Sequence, residues 1–279
     1  MLERRPSHGG EIVNPNPPTL LGTVHGDPAG FAKLSRFLSR FRPDLLLVEL
    51  SPYGRAFRAR NGKALATLLS RRLKLAAARS GLPYRRALKH PRIRSIRRQL
   101  ALPYEYRAAR RYARRHGVPL VLVDDSAFSR RCIARWAELL AVDNLATLLA
   151  LPEDEPDAEA LYAKALQRLR SQHPSFRGIA SRSRQDQNPA WNRRERWLVE
   201  EACKAMEAFG PRRPLRIGGW EHLVELCRSD HANFPEKQDI STSPEAGPGL
   251  FLLHGDGLCR SDHAKPPKKQ PFPERGEKG

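Results

Sequence analysis

Thr19-Leu-Leu-Gly-Thr-Val-His25 and Asp44-Leu-Leu-Leu-Val-Glu49-Leu50 decide the fold. The first is a short apolar run broken by Gly26-Asp27-Pro28, the pattern of a buried strand ending in a turn. The second is an uninterrupted apolar run, as expected of a parallel strand covered on both faces. Between them, Ala29 to Phe41 sets Phe31, Leu34, Phe37, Leu38 and Phe41 at helical spacing. Arg42-Pro43 ends that helix, because the residue before a proline is pushed out of the α region. Strand, helix and strand make a βαβ crossover, which predicts an α/β class: a mainly parallel β-sheet flanked by helices.

Working outward, the pattern recurs. Residues 104–116 read as a basic helix stopped by Gly117, and Val118 to Val123 as a strand ending at Asp124-Asp125. Trp191 to Phe209 is a helix with Trp197, Leu198, Ala202, Ala205 and Met206 on one side, closed by Gly210-Pro211. Pro214 to Gly218 is a last short strand running into Gly219-Trp220-Glu221-His222. The expected organisation is a flexible segment over 1–18, an α/β domain over 19–228 with helical insertions at about 61–116 and 127–170, and a disordered tail over 229–279. The tail is rich in Pro, Lys, Asp and Ser and has lost hydrophobic periodicity.

The chain has 279 residues, with 50 Lys and Arg against 30 Asp and Glu, and its +20 charge is mostly local. Residues 71–116 hold sixteen Lys or Arg against a single acid, Glu105. Tyr84, Tyr104, Tyr106 and Tyr112 lie among these cations, and interleaved rings and cations can stack bases and track phosphates. That makes nucleic acid or an acidic surface a candidate partner, reached through Arg94, Arg97 and Arg98 among others. Four scattered cysteines are too few for a disulfide framework, which points to a reducing compartment. No window approaches 18 consecutive apolar residues and no apolar signal region opens the chain, so a cytoplasmic, soluble protein is expected. A repeat, Leu226-Cys-Arg-Ser-Asp-His-Ala232 and Leu258-Cys-Arg-Ser-Asp-His-Ala264, would offer Cys227, His231, Cys259 and His263 to zinc.

The chemistry-bearing residues sit where strands end: His25, Glu49, Asp124 and His222. Ligands of open α/β sheets bind beyond the carboxyl ends of the strands, so these side chains are expected to converge. Imidazoles with a carboxylate form the ligand set of hydrolytic metal sites, where the ion lowers the pKa of bound water. Without a metal, His25 or His222 would serve as general base with Glu49 fixing its tautomer. Two G-x-x-H units, Gly22-Thr-Val-His25 and Gly219-Trp-Glu-His222, each stand at the mouth of a strand.

In these motifs the chain resembles the TraB/PrgY/GumN family and its Tiki relatives, within the wider group that includes erythromycin esterase and ChaN. The family's marks are matched by LLGTVH with Gly22 and His25, RPDLLLVEL with Glu49, NRRERWLVEEA with Arg194 (or Arg196), and RIGGWEHL with Gly219 and His222. The resemblance covers roughly residues 19–226. It departs where relatives carry Asp-Arg after the third strand and this chain has Asp124-Asp125, and in its arginine-rich insertion. The resemblance implies a metal-dependent hydrolase of a peptide or ester bond. A divalent ion, manganese or cobalt, with zinc as another choice, would be held by His25, Glu49 and His222. Arg194 would neutralise a carboxylate or developing oxyanion, and Asp124, beside Gly22 and Gly219, would orient an imidazole. It also implies two other activities: ester or lactone hydrolysis with a histidine base, and haem-iron binding of the ChaN kind, for which Tyr53 or Tyr84 would be an added ligand.

Overall fold

The computed structural model describes residues 18–153, 158–172, 189–221 and 251–254. Five strands run in chain order as β1 (Thr19–Thr23), β2 (Leu45–Val48), β3 (Leu120–Leu122), β4 (Pro214–Gly219) and β5 (Phe251–His254). In space the order is β3-β2-β4-β1-β5, with the first four parallel and β5 antiparallel to β1. The α/β sheet expected from the sequence is therefore present. β4 lies between β1 and β2, so the two strands that define the first crossover are not neighbours.

Each face of the sheet is covered. Leu21, Leu46, Val48, Leu215 and Ile217 pack against α1 (Gly30–Phe41) and α5 (Tyr104–His116). Leu45, Leu47 and Val123 pack against Leu198, Ala202, Ala205 and Met206 of α10 (Pro189–Phe209). This two-sided cover is why β2 reads as a continuous apolar run rather than an alternating one. α1 buries Leu34, Phe37 and Leu38 and ends at Arg42, which takes a left-handed φ of 51° and donates its N–H to Leu38 O. α5 ends at Gly117, whose φ of +67° is a conformation that glycine adopts without a Cβ penalty.

The remaining helices are α2 (Pro52–Arg79), α3 (Tyr84–Lys89), α4 (Pro91–Leu100), α6 (Ser126–Ala134), α7 (Trp136–Leu139), α8 (Val142–Ala150) and α9 (Ala158–Gln172). Ser51 caps α2, its Oγ accepting the Gly54 N–H at 2.8 Å. The second half of α2 joins α3, α4 and α8 around a core of its own, with Leu69, Leu73, Ile93, Ile96, Leu140 and Leu145 buried.

Two boundaries change. The expected insertion over 61–116 divides, because α5 packs on the sheet and only α2 to α4 belong to the separate helical core. The tail expected to be disordered from 229 supplies β5, whose Phe-Leu-Leu-His run pairs with β1 from Thr19↔His254 to Gly22↔Phe251. The rest of that tail, including both copies of the Cys/His repeat, lies outside the described residues. Among the described residues, no helix is long and apolar enough to cross a membrane.

Candidate active site

Among the described residues, the strand-end side chains do not form one cluster. Adjacent strands lie about 4.8 Å apart, so β1 and β2, with β4 between them, present their ends roughly 10 Å apart. The parallel register also divides the faces: Thr23 and Ile217 share the α5 side, while Gly218 turns to the α10 side. His25 and Glu49 accordingly belong to two separate constellations.

On the α5 side, His25 Nδ1 lies 2.8 Å from Glu105 Oε1. The imidazole is 63% exposed and the carboxylate 6% exposed. Thr23 Oγ1 stands 3.1 Å from the same Glu105 oxygen and 2.9 Å from Gly218 O, so its one hydroxyl proton has two acceptors within reach. Glu105 sits in the first turn of α5, where the exposed backbone N–H groups favour negative charge. The turn that carries His25 is tied down from three directions. Asp27 accepts from Ala29 N at 2.8 Å, Lys33 Nζ at 2.9 Å and the Tyr162 hydroxyl at 3.1 Å. Tyr104 donates its hydroxyl to Val24 O at 3.2 Å, and its ring lies flat on Gly30, where any Cβ would overlap it. Gly26, at φ +89°, has the Arg98 side chain packed against it, which places a guanidinium beside the same turn.

On the α10 side, Arg194 is the hub. Its Nε and Nη2 form a fork on Asp124, at 2.8 Å to Oδ1 and 2.9 Å to Oδ2, and Nη2 also reaches Glu49 Oε1 at 2.9 Å. Glu49 Oε2 accepts the Gly219 N–H at 3.1 Å. At Gly218 a Cβ would overlap Glu49 Oε2, so any larger residue would displace that carboxylate. The three charged side chains are 12%, 2% and 8% exposed for Arg194, Glu49 and Asp124. Burial works against the charge of Arg194, but the Asp124 hydrogen bonds and the charges of Glu49, Asp124 and Glu195 outweigh it and hold its pKa above the usual arginine value. Phe128 stacks below the guanidinium, with the ring centroid 5.0 Å away. A second arginine, Arg58, lies near Asp124 and over Trp136; burial pulls its pKa down and Asp124 partly restores it.

Several expectations change on this geometry. The carboxylate that His25 Nδ1 meets is Glu105, not Glu49 or Asp124. Arg194 has its charge taken up by two carboxylates rather than offered to a substrate. Asp124 holds Arg194, from α10, instead of an imidazole. Gly22 pairs in register with Gly218 and Phe251, inside the sheet rather than at its mouth. Tyr53, at the start of α2, lies under the Arg130 guanidinium, whereas Tyr84 packs in the helical core with Lys74 over its ring. Tyr84 is thus not placed at the strand ends. His222 lies outside the described residues.

Among the described residues, no group of three His, Cys, Asp or Glu side chains is close enough to hold an ion. Glu49 in this arrangement faces a guanidinium at 2.9 Å, and a dication on the same oxygen would meet its repulsion. With both oxygens so engaged, Glu49 does not fit the ligand role.

Two residues that hold His25 and its turn, Glu105 and Tyr162, are absent from the sequence-based candidates. Glu105 carried a usable signal, because it is an acid on the apolar stripe of a helix, in line with Ala108, Ala109 and Tyr112. Tyr162 carried none, since only the fold brings α9 to Asp27. The chain matches no family model, no curated protein and no solved structure, so the TraB-like resemblance rests on its motif residues alone.

Proposed function

We propose that the protein is a hydrolase of a peptide or ester bond, with His25 as general base and Glu105 as the residue that orients it. The observation that carries this reading is the 2.8 Å contact between an exposed imidazole and a buried carboxylate at the carboxyl end of β1. An ionised Glu105 accepts only, so Nδ1 keeps the proton and Nε2 presents its lone pair away from the carboxylate. Nε2 then takes a proton from water as the water oxygen bonds to the carbonyl carbon. The resulting imidazolium, stabilised by Glu105, returns that proton to the leaving oxygen or nitrogen as its bond to carbon breaks. Thr23 holds Glu105 from the side of β4, and the Asp27 and Tyr104 contacts fix the turn from which His25 projects. The Arg194 cluster, on the other face, ties the ends of β2, β3 and β4 to α10.

The test is a screen of peptide and ester substrates with wild type, His25→Ala and Glu105→Gln, each assayed without added metal and with manganese or cobalt. Hydrolysis that both substitutions abolish supports the base mechanism. Turnover that appears only with metal and is lost in His25→Ala and His222→Ala moves the reading to a metal-dependent hydrolase. A Soret band in the purified protein with no turnover in any arm favours the haem-carrier alternative.

A further inference from the structure

We propose that the outer face of α5 binds the phosphate backbone of a nucleic-acid duplex without reading its sequence. Arg107, Arg110, Arg111, Arg114 and Arg115 recur at intervals of three and four, so they occupy one side of the helix. All five are exposed, and together with Leu102 and Tyr106 they line one open cavity of about 430 Å³. Among the described residues, none of the five takes part in an ion pair. Arg107 lies over the Phe31 ring, 5.3 Å from its centroid, which steadies its stem.

The spacing suits a polyphosphate. At 1.5 Å rise per residue, Arg107 to Arg115 spans about 12 Å. Phosphates recur every ~3.4 Å along the axis on each strand of a duplex, so the stripe faces about three or four of them. Unpaired like charges one turn apart repel each other, and a line of phosphates relieves that repulsion while releasing its own counterions. Guanidinium forks match phosphate oxygens two at a time.

Two alternatives fit less well. Stacking of splayed single-stranded bases needs exposed rings, and Tyr104, Tyr106 and Tyr112 are turned into the core, at 8%, 5% and 8% exposure. Three of the four tyrosines expected among the cations as a stacking platform are therefore not presented to solvent. An acidic membrane is bound more firmly when apolar side chains flank the cations, and the exposed large apolar residues, Leu75, Leu151, Trp197 and Phe209, are all on other elements.

The test uses the full chain and fluorescence anisotropy with two labelled DNA duplexes of unrelated sequence, titrated at several salt concentrations. Wild type is expected to bind both alike, with log K against log salt falling at a slope of about −3 to −4. In R110Q/R111Q/R114Q/R115Q the slope is expected to become shallower by about 2 to 3, with binding at low salt at least tenfold weaker. A control with the same charge loss elsewhere, R36Q/R60Q/R71Q/R92Q, should stay within about threefold of wild type. Should the first variant not fold, R111Q/R115Q replaces it, with half the change in slope. The proposal is overturned by no wild-type binding at low salt, by equal loss in the control, by preference for one sequence, or by tighter binding to phosphatidylserine vesicles than to the duplexes.

Discussion

His25 and Glu105 meet at 2.8 Å from the end of β1 and the first turn of α5, two elements that the chain separates by a whole helical core. Their contact combines a base open to solvent with a carboxylate closed to it. Replacing Glu105 by Gln removes the charge that stabilises the imidazolium while keeping the side chain's size. The expected result is a loss of about 10² to 10⁴ in kcat/KM with KM little changed, measured on the best substrate from the screen. Unchanged kcat/KM would leave Glu105 a structural residue.

Arg194 joins two nearly closed-off carboxylates, so its removal strands both. Arg194→Met is expected to cost about 3 to 5 kcal/mol in urea unfolding, because Glu49 and Asp124 would remain charged and buried without a partner. Neutralising them in R194M/E49Q/D124N should recover at least half of that loss. A triple variant no more stable than the single one would show that packing, not charge, is what Arg194 supplies.

Gly218 leaves the space that Glu49 Oε2 occupies. Gly218→Ala is expected to destabilise by about 1 to 3 kcal/mol through overpacking. In an Glu49→Ala background the same change should cost far less, since the overlapping atom is gone. Additive costs in the double variant would place the strain elsewhere.

The tyrosines near His25 set an alkaline limit. Burial first, then the neighbouring Glu105 and Tyr162, pushes the Tyr104 hydroxyl far above the ordinary tyrosine value; burial and Asp27 do the same to Tyr162. In the unfolded chain both would lose their protons near pH 10, while the folded protein holds them. The unfolded state then binds fewer protons, so their contribution is intact below pH 10 and falls above it, by up to about 1.4 kcal/mol per pH unit for each group. Urea midpoints followed from pH 8 to 11 should fall less steeply in Y104F/Y162F than in wild type. Parallel curves would assign the alkaline loss to other groups.

Arg216 is 4% exposed on the α10 side of β4, and its Nη2 has no hydrogen-bond partner among the described residues. A buried donor without an acceptor costs about 1 to 3 kcal/mol, so Arg216→Met is expected to raise stability by a like amount. Calorimetry measures it directly; a lower midpoint would mean that the guanidinium is satisfied in the folded protein.

Much of the fold was legible because hydrophobic run length and helical spacing are local. Leu45 to Val48 announced a doubly covered strand, and Leu34, Phe37 and Leu38 a packed helix face. The site was legible only in part. The strand-end positions of His25, Glu49 and Asp124 can be read from the sequence, but which side chains they and Arg194 meet depends on strand order, and nothing in the run of residues shows that Pro214 to Gly219 inserts between β1 and β2. Glu105 was hidden by its surroundings: counted with sixteen cations, it looked like one more surface charge, although its spacing to Ala108, Ala109 and Tyr112 places it on the inner face. The tyrosines of the same helix were misjudged for the converse reason, since composition ignores which side of a helix a ring takes.

The position of β4 governs how the chain acquires its structure. Thr19 pairs with Leu215 and Leu45 with Pro214, so neither early strand has its central neighbour until the ribosome has made nearly all of the described domain. The helical cluster built on α2, α3, α4 and α8 is complete much sooner and closes through nearby segments. Synthesis therefore delivers an ordered helical body attached to an apolar β1 and β2 that wait for their partner. Topologies of this kind fold slowly and leave strand edges open to other chains meanwhile, which makes the interval before β4 emerges the period of greatest risk for misassembly.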